Sequence, residues 1–343
     1  MKILFLGETY RADAQTWIKG IESASGVKIQ TKELPKSGSR ISRVFQAFSF
    51  FLNLFFSKET YDITLAERAT SYGFFSLLVN SKIRVVAQQG ITDAFPEVGF
   101  AGWYKRIFQR AIYTRADLIH AWGYVMTYAM LESGAAPAKI KVLPKGLNLD
   151  NFAFYPETEN RKHTAIVTRS LFDIYRHEEI LEAIFILKNL GILLDCIMIG
   201  TGEREETLKE KTIHLGLQEH IKWIGRIPND ELPNYLGQAQ IYIAVPETEG
   251  VSASLFEAMA CGCFPIVTDL PANRAFIRHG ENGLLVPVGK PNLLANEIAK
   301  YLMNSKSFRK GIIENRGFIE RNCDLKRNMS SFYQTYQTLV NQK

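Results

Sequence analysis

Two carboxylates, Glu249 and Glu257, stand with seven residues between them, and those residues read as a turn leading into a helix. Pro246, Gly250, Ser252 and Ser254 are turn and cap residues, and Gly262 closes a helix expected over 253–261. Glu249 then lies in the loop and Glu257 one turn inside the helix, so the pair brackets a helix N-terminus. Such an end offers free N–H groups and the positive end of the dipole, which suits a phosphate. A carboxylate beside a phosphate is tolerable only if it faces hydroxyl groups. A ligand with phosphate in its middle and polyols at both ends, a nucleotide sugar, meets that demand: Glu249 would accept from the sugar and Glu257 from the ribose. A solvated carboxylate pair beside a helix cap is the other reading of the same residues.

Competing chemistries find little support. The loop after Leu6, Gly7-Glu8-Thr9-Tyr10, lacks the glycine spacing of a dinucleotide loop, and no Gly-x-x-x-x-Gly-Lys occurs. No two aspartates stand one residue apart, as a metal-holding Asp-x-Asp would require. The cysteines at 196, 261, 263 and 323 show no Cys-x-x-Cys spacing and are read as reduced and buried. No metal and no cofactor are expected.

The elements that must position these residues alternate. Strands are expected over 2–6, 27–33, 63–66, 84–87, 118–121 and 140–144, and again over 164–168, 194–199, 221–224, 241–245, 264–267 and 284–286, with amphipathic helices between them. This pattern predicts an α/β protein with two Rossmann-like, doubly wound parallel sheets and a cleft between them. Ligands of such sheets bind beyond the carboxyl ends of strands. The 343 residues and 46% hydrophobic content suit two ordinary cores. A break at 151–161 sets the expected domains at 1–152 and 153–325, with 326–343 as a terminal helix.

The formal charge of +6 is unevenly placed. Residues 1–150 hold 19 Lys and Arg against 12 Asp and Glu, so the positive excess lies in the first half. That half also contains a Phe-rich run over 44–56, too short to span a bilayer. It either lies on a membrane surface or packs on the sheet, as does the basic, aromatic helix that begins at Trp103. The scattered basic residues match no nucleic-acid reading motif, and no nucleic-acid partner is expected.

The stretch from Glu249 resembles the E-x7-E signature of the retaining nucleotide-sugar glycosyltransferases of the GT-B class, glycosyltransferase family 4 or glycosyl transferases group 1. There E-G-F-G leads into E-A-M-A-x-G-x-P-V, and Glu249, Gly250, Glu257, Ala258, Met259, Ala260, Gly262, Pro265 and Val267 match. Gly200-Thr201-Gly202-Glu203, Trp223-Ile224-Gly225 and Gly280-Glu281-Asn282-Gly283-Leu284 extend the resemblance over essentially the whole chain, most weakly before residue 100. It implies the GT-B fold, a donor site in the second domain with Glu249 and Arg169 as catalytic residues, and a last helix that crosses back to the first domain. Arg169 would contact the donor diphosphate; Glu257, Gly250, Val251 and Ser252 would line the donor, and Gly225 and Arg226 the nucleobase.

Three departures accompany the match. Tyr175 takes the place of the family's lysine, with Arg176 beside it as a substitute charge. Val251-Ser252 replaces Phe-Gly. Gln89 stands where many relatives have a histidine that contacts the donor sugar. No general base is then offered at that position, which suits a front-side displacement in which the leaving phosphate takes the acceptor proton. Gly7, Gln89, Asp93 and Glu67 are the acceptor-side candidates, with solvated loop carboxylates as the other reading of the two acids. The expectation is a retaining, metal-independent transferase that moves a sugar to a glycan, lipid-linked or small-molecule acceptor in surface polysaccharide or glycolipid assembly. It would be cytoplasmic, or peripheral on the inner face of the cytoplasmic membrane through an anionic surface bound by the first domain. A nucleotide-sugar epimerase on the same fold and a degenerate scaffold protein are the rivals.

Overall fold

The computed structural model describes residues 1–35, 40–88, 99–156 and 163–343. The chain forms two compact units, Met1–Gly146 with Leu325–Lys343, and Leu147–Asp324. The expected division at 152/153 falls inside the second unit. There the Leu147 N–H donates to the Cys323 carbonyl at 2.7 Å, Leu147 bridges Asp324, and Phe152 is buried in that unit's core.

The first unit's sheet comprises β1 (Ile3–Leu6), β2 (Gln30–Lys32), β3 (Thr60–Glu67), β4 (Asn80–Ala87), β5 (Leu118–Ala121) and β6 (Ile140–Val142). All pairings are parallel, in the order β2-β1-β3-β4-β5-β6. Every residue of β1 and β5 is buried, as expected for strands covered on both faces. Around it lie α1 (Ala12–Ser25), α2 (Arg40–Phe55), α3 (Gly73–Ser76), α4 (Phe100–Arg115) and α5 (Thr127–Glu132).

The second sheet holds β7 (Thr164–Thr168), β8 (Asp195–Ile199), β9 (Ile221–Gly225), β10 (Ile241–Ala244), β11 (Phe264–Thr268) and β12 (Leu284–Val286), again parallel, in the order β12-β11-β10-β7-β8-β9. Its helices are α6 (His177–Asn189), α7 (Glu205–His214), α8 (Leu232–Leu236), α9 (Ala253–Cys261), α10 (Pro271–Arg274), α11 (Pro291–Met303) and α12 (Arg309–Asn322). The last helix, α13 (Leu325–Asn341), belongs to the first unit. There the Trp17 indole donates to the Tyr336 hydroxyl at 3.3 Å, and His120 Nε2 lies 2.6 Å from the same oxygen. Burial pushes the His120 pKa down to about 3, so its ring packs there neutral.

Each sheet reverses its strand order once, between β1 and β3 in the first unit and between β7 and β10 in the second. Loops from such neighbouring strands run to opposite faces of the sheet and leave a crevice at their carboxyl ends. These two places are where ligands are expected.

The Phe-rich segment divides between its two readings. Leu54 is buried, and the Phe50 ring meets those of Phe75 and Tyr72 at 5.0 and 6.5 Å. Val44, Phe45, Phe48, Phe55 and Phe56 are exposed. Among the described residues no helix is long and apolar enough to cross a membrane. The four cysteines are buried.

Candidate functional site

At the second unit's reversal, β7 delivers Arg169 and the loop after β10 delivers Glu249. The two side chains form an ion pair through Arg169 Nη2 and Glu249 Oε2. Arg169 Nη1 also donates to Ser252 Oγ at 3.3 Å and Ser254 Oγ at 3.2 Å, and the guanidinium lies 4.6 Å from the centre of the Tyr175 ring. A forked cation held by four partners at a strand end is oriented before any ligand arrives.

The helix N-terminus forms as its residues dictate. Ser252 is the N-cap of α9, its Oγ accepting from the Leu255 N–H at 3.3 Å, and Gly262 ends the helix with φ 87°. Glu249 Oε1 accepts from the Gly250 N–H at 3.1 Å, which fixes the carboxylate against its own loop. Glu257, inside α9, is partly buried. Burial pushes its pKa up to about 7 against the opposing pull of Arg169. Near neutrality its carboxyl can both donate and accept, as a vicinal diol does.

The turn after β7 is built around close backbone approaches. Gly200 and Gly202 sit where a Cβ would collide with the backbone of Arg169 and of Leu171, so the loop after β8 can press against the loop after β7 only with glycine there. The Leu171 N–H donates to the Thr201 carbonyl at 3.1 Å across this contact. Tyr175 ends the short turn Asp173–Tyr175, and the Glu247 N–H ties the loop after β10 to it through the Ile174 carbonyl at 2.9 Å.

Arg176 follows in a left-handed conformation, φ 50°. Its guanidinium pairs with Glu179 and, at 2.6 Å, with Glu247, so it reaches an anionic ligand only by exchanging those partners. Sequence reading missed His177, which is buried next to Tyr175, with ring centres 6.2 Å apart. Burial and the Arg169 charge push its pKa down to about 4, so it packs there as a neutral ring. No motif marks it.

Gly225 ends β9 with φ 77°, its carbonyl accepting from the Gly200 N–H at 2.9 Å, and Arg226 follows it exposed. Val251 is partly exposed between buried Gly250 and Ser252. Among the described residues no three His, Cys, Asp or Glu side chains converge as metal ligands would.

The acceptor-side candidates separate. Gln89 and Asp93 lie outside the described residues. Glu67 is fully buried at the end of β3, its Oε2 accepting from the Glu8 N–H at 2.9 Å, and burial raises its pKa. Gly7 packs against it: a Cβ there would lie 2.8 Å from Glu67 Cβ and 2.5 Å from Phe5 Cε1. Both residues shape the loop after β1.

Residues 150–316 match the family model described as Glycosyl transferases group 1. The chain is 26% identical over 211 residues to a phosphatidyl-myo-inositol mannosyltransferase of Mycobacterium leprae, an alignment covering 59% of this chain and 52% of that protein. It is 24% identical over 201 residues to the amylovoran biosynthesis glycosyltransferase AmsK of Erwinia amylovora, covering 56% and 49%. The chain thus spans about half the length of these relatives. Among solved structures, sucrose-phosphate synthase from Thermosynechococcus elongatus superposes with a TM-score of 0.80 at 15% identity, with full coverage of both chains. The Anabaena HepE protein in complex with UDP and glucose superposes at 0.77 and 14%, covering 98% of this chain and all of that one. The fold is GT-B.

Proposed function

We propose that the chain is a retaining, metal-independent glycosyltransferase that takes its sugar from a nucleotide diphosphate donor, on the match of residues 150–316 to the glycosyl transferases group 1 model and on the GT-B fold. The observation that carries this reading is the Arg169–Glu249 ion pair, set across the strand reversal beside the Ser252-capped start of α9. The helix end and Arg169 receive the diphosphate, Glu249 the sugar hydroxyls and Glu257 the ribose, with Gly225 and Arg226 beside the base.

In the reaction, the bond from the sugar's anomeric carbon to the diphosphate oxygen breaks while the acceptor oxygen bonds on the same face. The acceptor's proton passes to the departing phosphate oxygen. Arg169 and the helix N–H groups stabilise the charge that develops there. Arg176 becomes a second cation if the donor draws it from Glu247.

The acceptor is a glycan, lipid-linked or small molecule bound by the first unit, in surface polysaccharide or glycolipid assembly. Exposed Phe45, Phe48 and Phe55 on α2, Phe56 just after it, and exposed Trp103 and Ile107 on α4 support a place at an anionic membrane surface, given the basic excess of this half.

Thermal-shift measurements with UDP, GDP, ADP, TDP and CMP, each with magnesium and with EDTA, test the donor site. Selective stabilisation by one diphosphate, unaffected by EDTA, is expected; a ligand at 100 times its dissociation constant adds about 2.7 kcal/mol. Product NMR should show the donor's anomeric configuration retained, and an inverted product would sink the mechanism. Phe45→Ser with Phe48→Ser should abolish cosedimentation with anionic vesicles without lowering the melting temperature.

A further inference from the structure

Arg169 carries five N–H donors, and its polar partners occupy only the two outer nitrogens: Nη1 serves Ser252 and Ser254, and Nη2 serves Glu249. Nε is buried without a hydrogen-bond partner among the described residues. What remains is the Tyr175 ring, whose centre lies 4.6 Å from the guanidinium carbon. An aromatic face attracts the whole delocalised cation, and more strongly where water is excluded. The Arg169 side chain is 13% exposed, so this contact is largely desolvated.

The ring is itself held in place. The Tyr175 N–H donates to the Phe172 carbonyl at 3.0 Å, and the neighbouring Ile174 carbonyl accepts from the Glu247 N–H at 2.9 Å. Buried His177 lies against the ring, the two planes inclined at 76°. With its pKa pushed down to about 4, His177 packs there neutral and brings no charge to repel the guanidinium.

A bound donor rearranges these partners unequally. On the transferase reading Glu249 turns to the sugar hydroxyls, and Arg169 Nη2 passes from that carboxylate to phosphate. Ser252, Ser254 and the ring are the contacts that stay. Two hydroxyls on one nitrogen leave the plane of the fork free to tilt, whereas an aromatic face fixes that plane.

We propose that Tyr175 is a positioning residue whose ring face keeps the Arg169 guanidinium aimed at the departing diphosphate once Glu249 has let it go. The proposal rests on the transferase reading above. It gives an uncharged side chain, at the position where this sequence departs from the family's lysine, a part that is played through Arg169 rather than on the ligand.

Phenylalanine with zero, one, two or three ring fluorines, placed at position 175 of the full chain, tests it. Each fluorine drains the ring's negative face and leaves its shape nearly unchanged, so packing is held constant while the attraction for a cation fades. Calorimetry with UDP, GDP and ADP, and with UDP-glucose, GDP-mannose and ADP-glucose, reads the effect, because the nucleoside diphosphate is itself the departing group. The affinity for the diphosphate that binds is expected to fall step by step, by about ten-fold over the series. Its sugar ester should lose less, since the ester lacks the charge of the freed oxygen. Tyr175→Leu should bind the diphosphate at least as weakly as the trifluorinated ring, and Tyr175→Phe should recover most of that loss.

Level affinities along the fluorinated series, or an equal loss for diphosphate and ester, would overturn the proposal and leave the donor site standing. No binding by any nucleotide would sink the transferase reading and the proposal with it.

Discussion

At each of the two strand reversals an arginine from one strand end pairs with a glutamate from the other: Arg169 with Glu249 in the second unit, Arg68 with Glu8 in the first. The only non-glycine residues with positive φ among those described, Arg176 and Arg68, also lie one at each. Strained backbone gathers where ligands must be met. The pairs differ in depth, for the side chains of Arg169 and Glu249 are 13% and 11% exposed against 26% and 24% for Arg68 and Glu8. The same topology therefore builds a more enclosed pair in the second unit and a more open one in the first.

That contrast can be broken most sharply by removing each arginine. Arg169→Ala is expected to lower kcat by about 10²–10³-fold, the usual loss when a stabiliser of transition-state charge is removed. Arg68→Ala, in the other unit, should instead leave kcat and the donor KM unchanged. Steady-state kinetics with the donor varied distinguishes the two, and an equal loss in both variants would erase the distinction.

Smaller effects separate two uses of glycine. Gly7→Ala forces a Cβ into Phe5 and Glu67 and should cost about 1–3 kcal/mol in urea unfolding. Gly225→Ala meets open space, so only its left-handed φ is penalised, by about 1 kcal/mol.

A further contrast lies in pH dependence, where the two units carry opposite signs. Glu257 binds its proton more tightly folded than unfolded, so its contribution to stability falls as pH rises from 4.5 to about 7. Lys145, in the first unit, has its pKa pushed down to about 8 by burial, with Asp13 and Glu67 opposing. Its unfolded form binds the proton more tightly, so its contribution rises with pH from about 8 to 10.5. Each slope is at most about 1.4 kcal/mol per pH unit. Glu257→Gln should flatten the first slope and Lys145→Met the second, read as melting temperature against pH.

All twelve strands were legible in the alternation of short runs with helical patterns; most are buried on both faces and so apolar along their length, whereas β2, Gln-Thr-Lys, is an exposed edge strand. So was the helix over 253–261, whose N-cap Ser252 and closing Gly262 lie within one continuous stretch. The E-x7-E segment was readable for the same reason: loop, cap and helix are sequence neighbours, so spacing alone specifies their geometry. The unit boundary was not. It depends on Leu147 meeting Cys323 and Asp324, a pairing between residues far apart in the chain that no local composition marks.

A cavity at the first unit's strand reversal was equally hidden. Gly7 and Glu67 were picked out as chemistry, but folding buries them as supports and leaves Glu8, Tyr10, Gln46, Arg68 and Ser71 at the wall. Those five come from three separate segments, brought together by the strand order. The sequence by itself determined the layered α/β architecture and the contiguous Glu249–Glu257 motif, since both depend on local periodicity and caps. Only the tertiary structure decided which side chains share the first unit's crevice, because sheet order is set by long-range burial that adjacent residues do not encode.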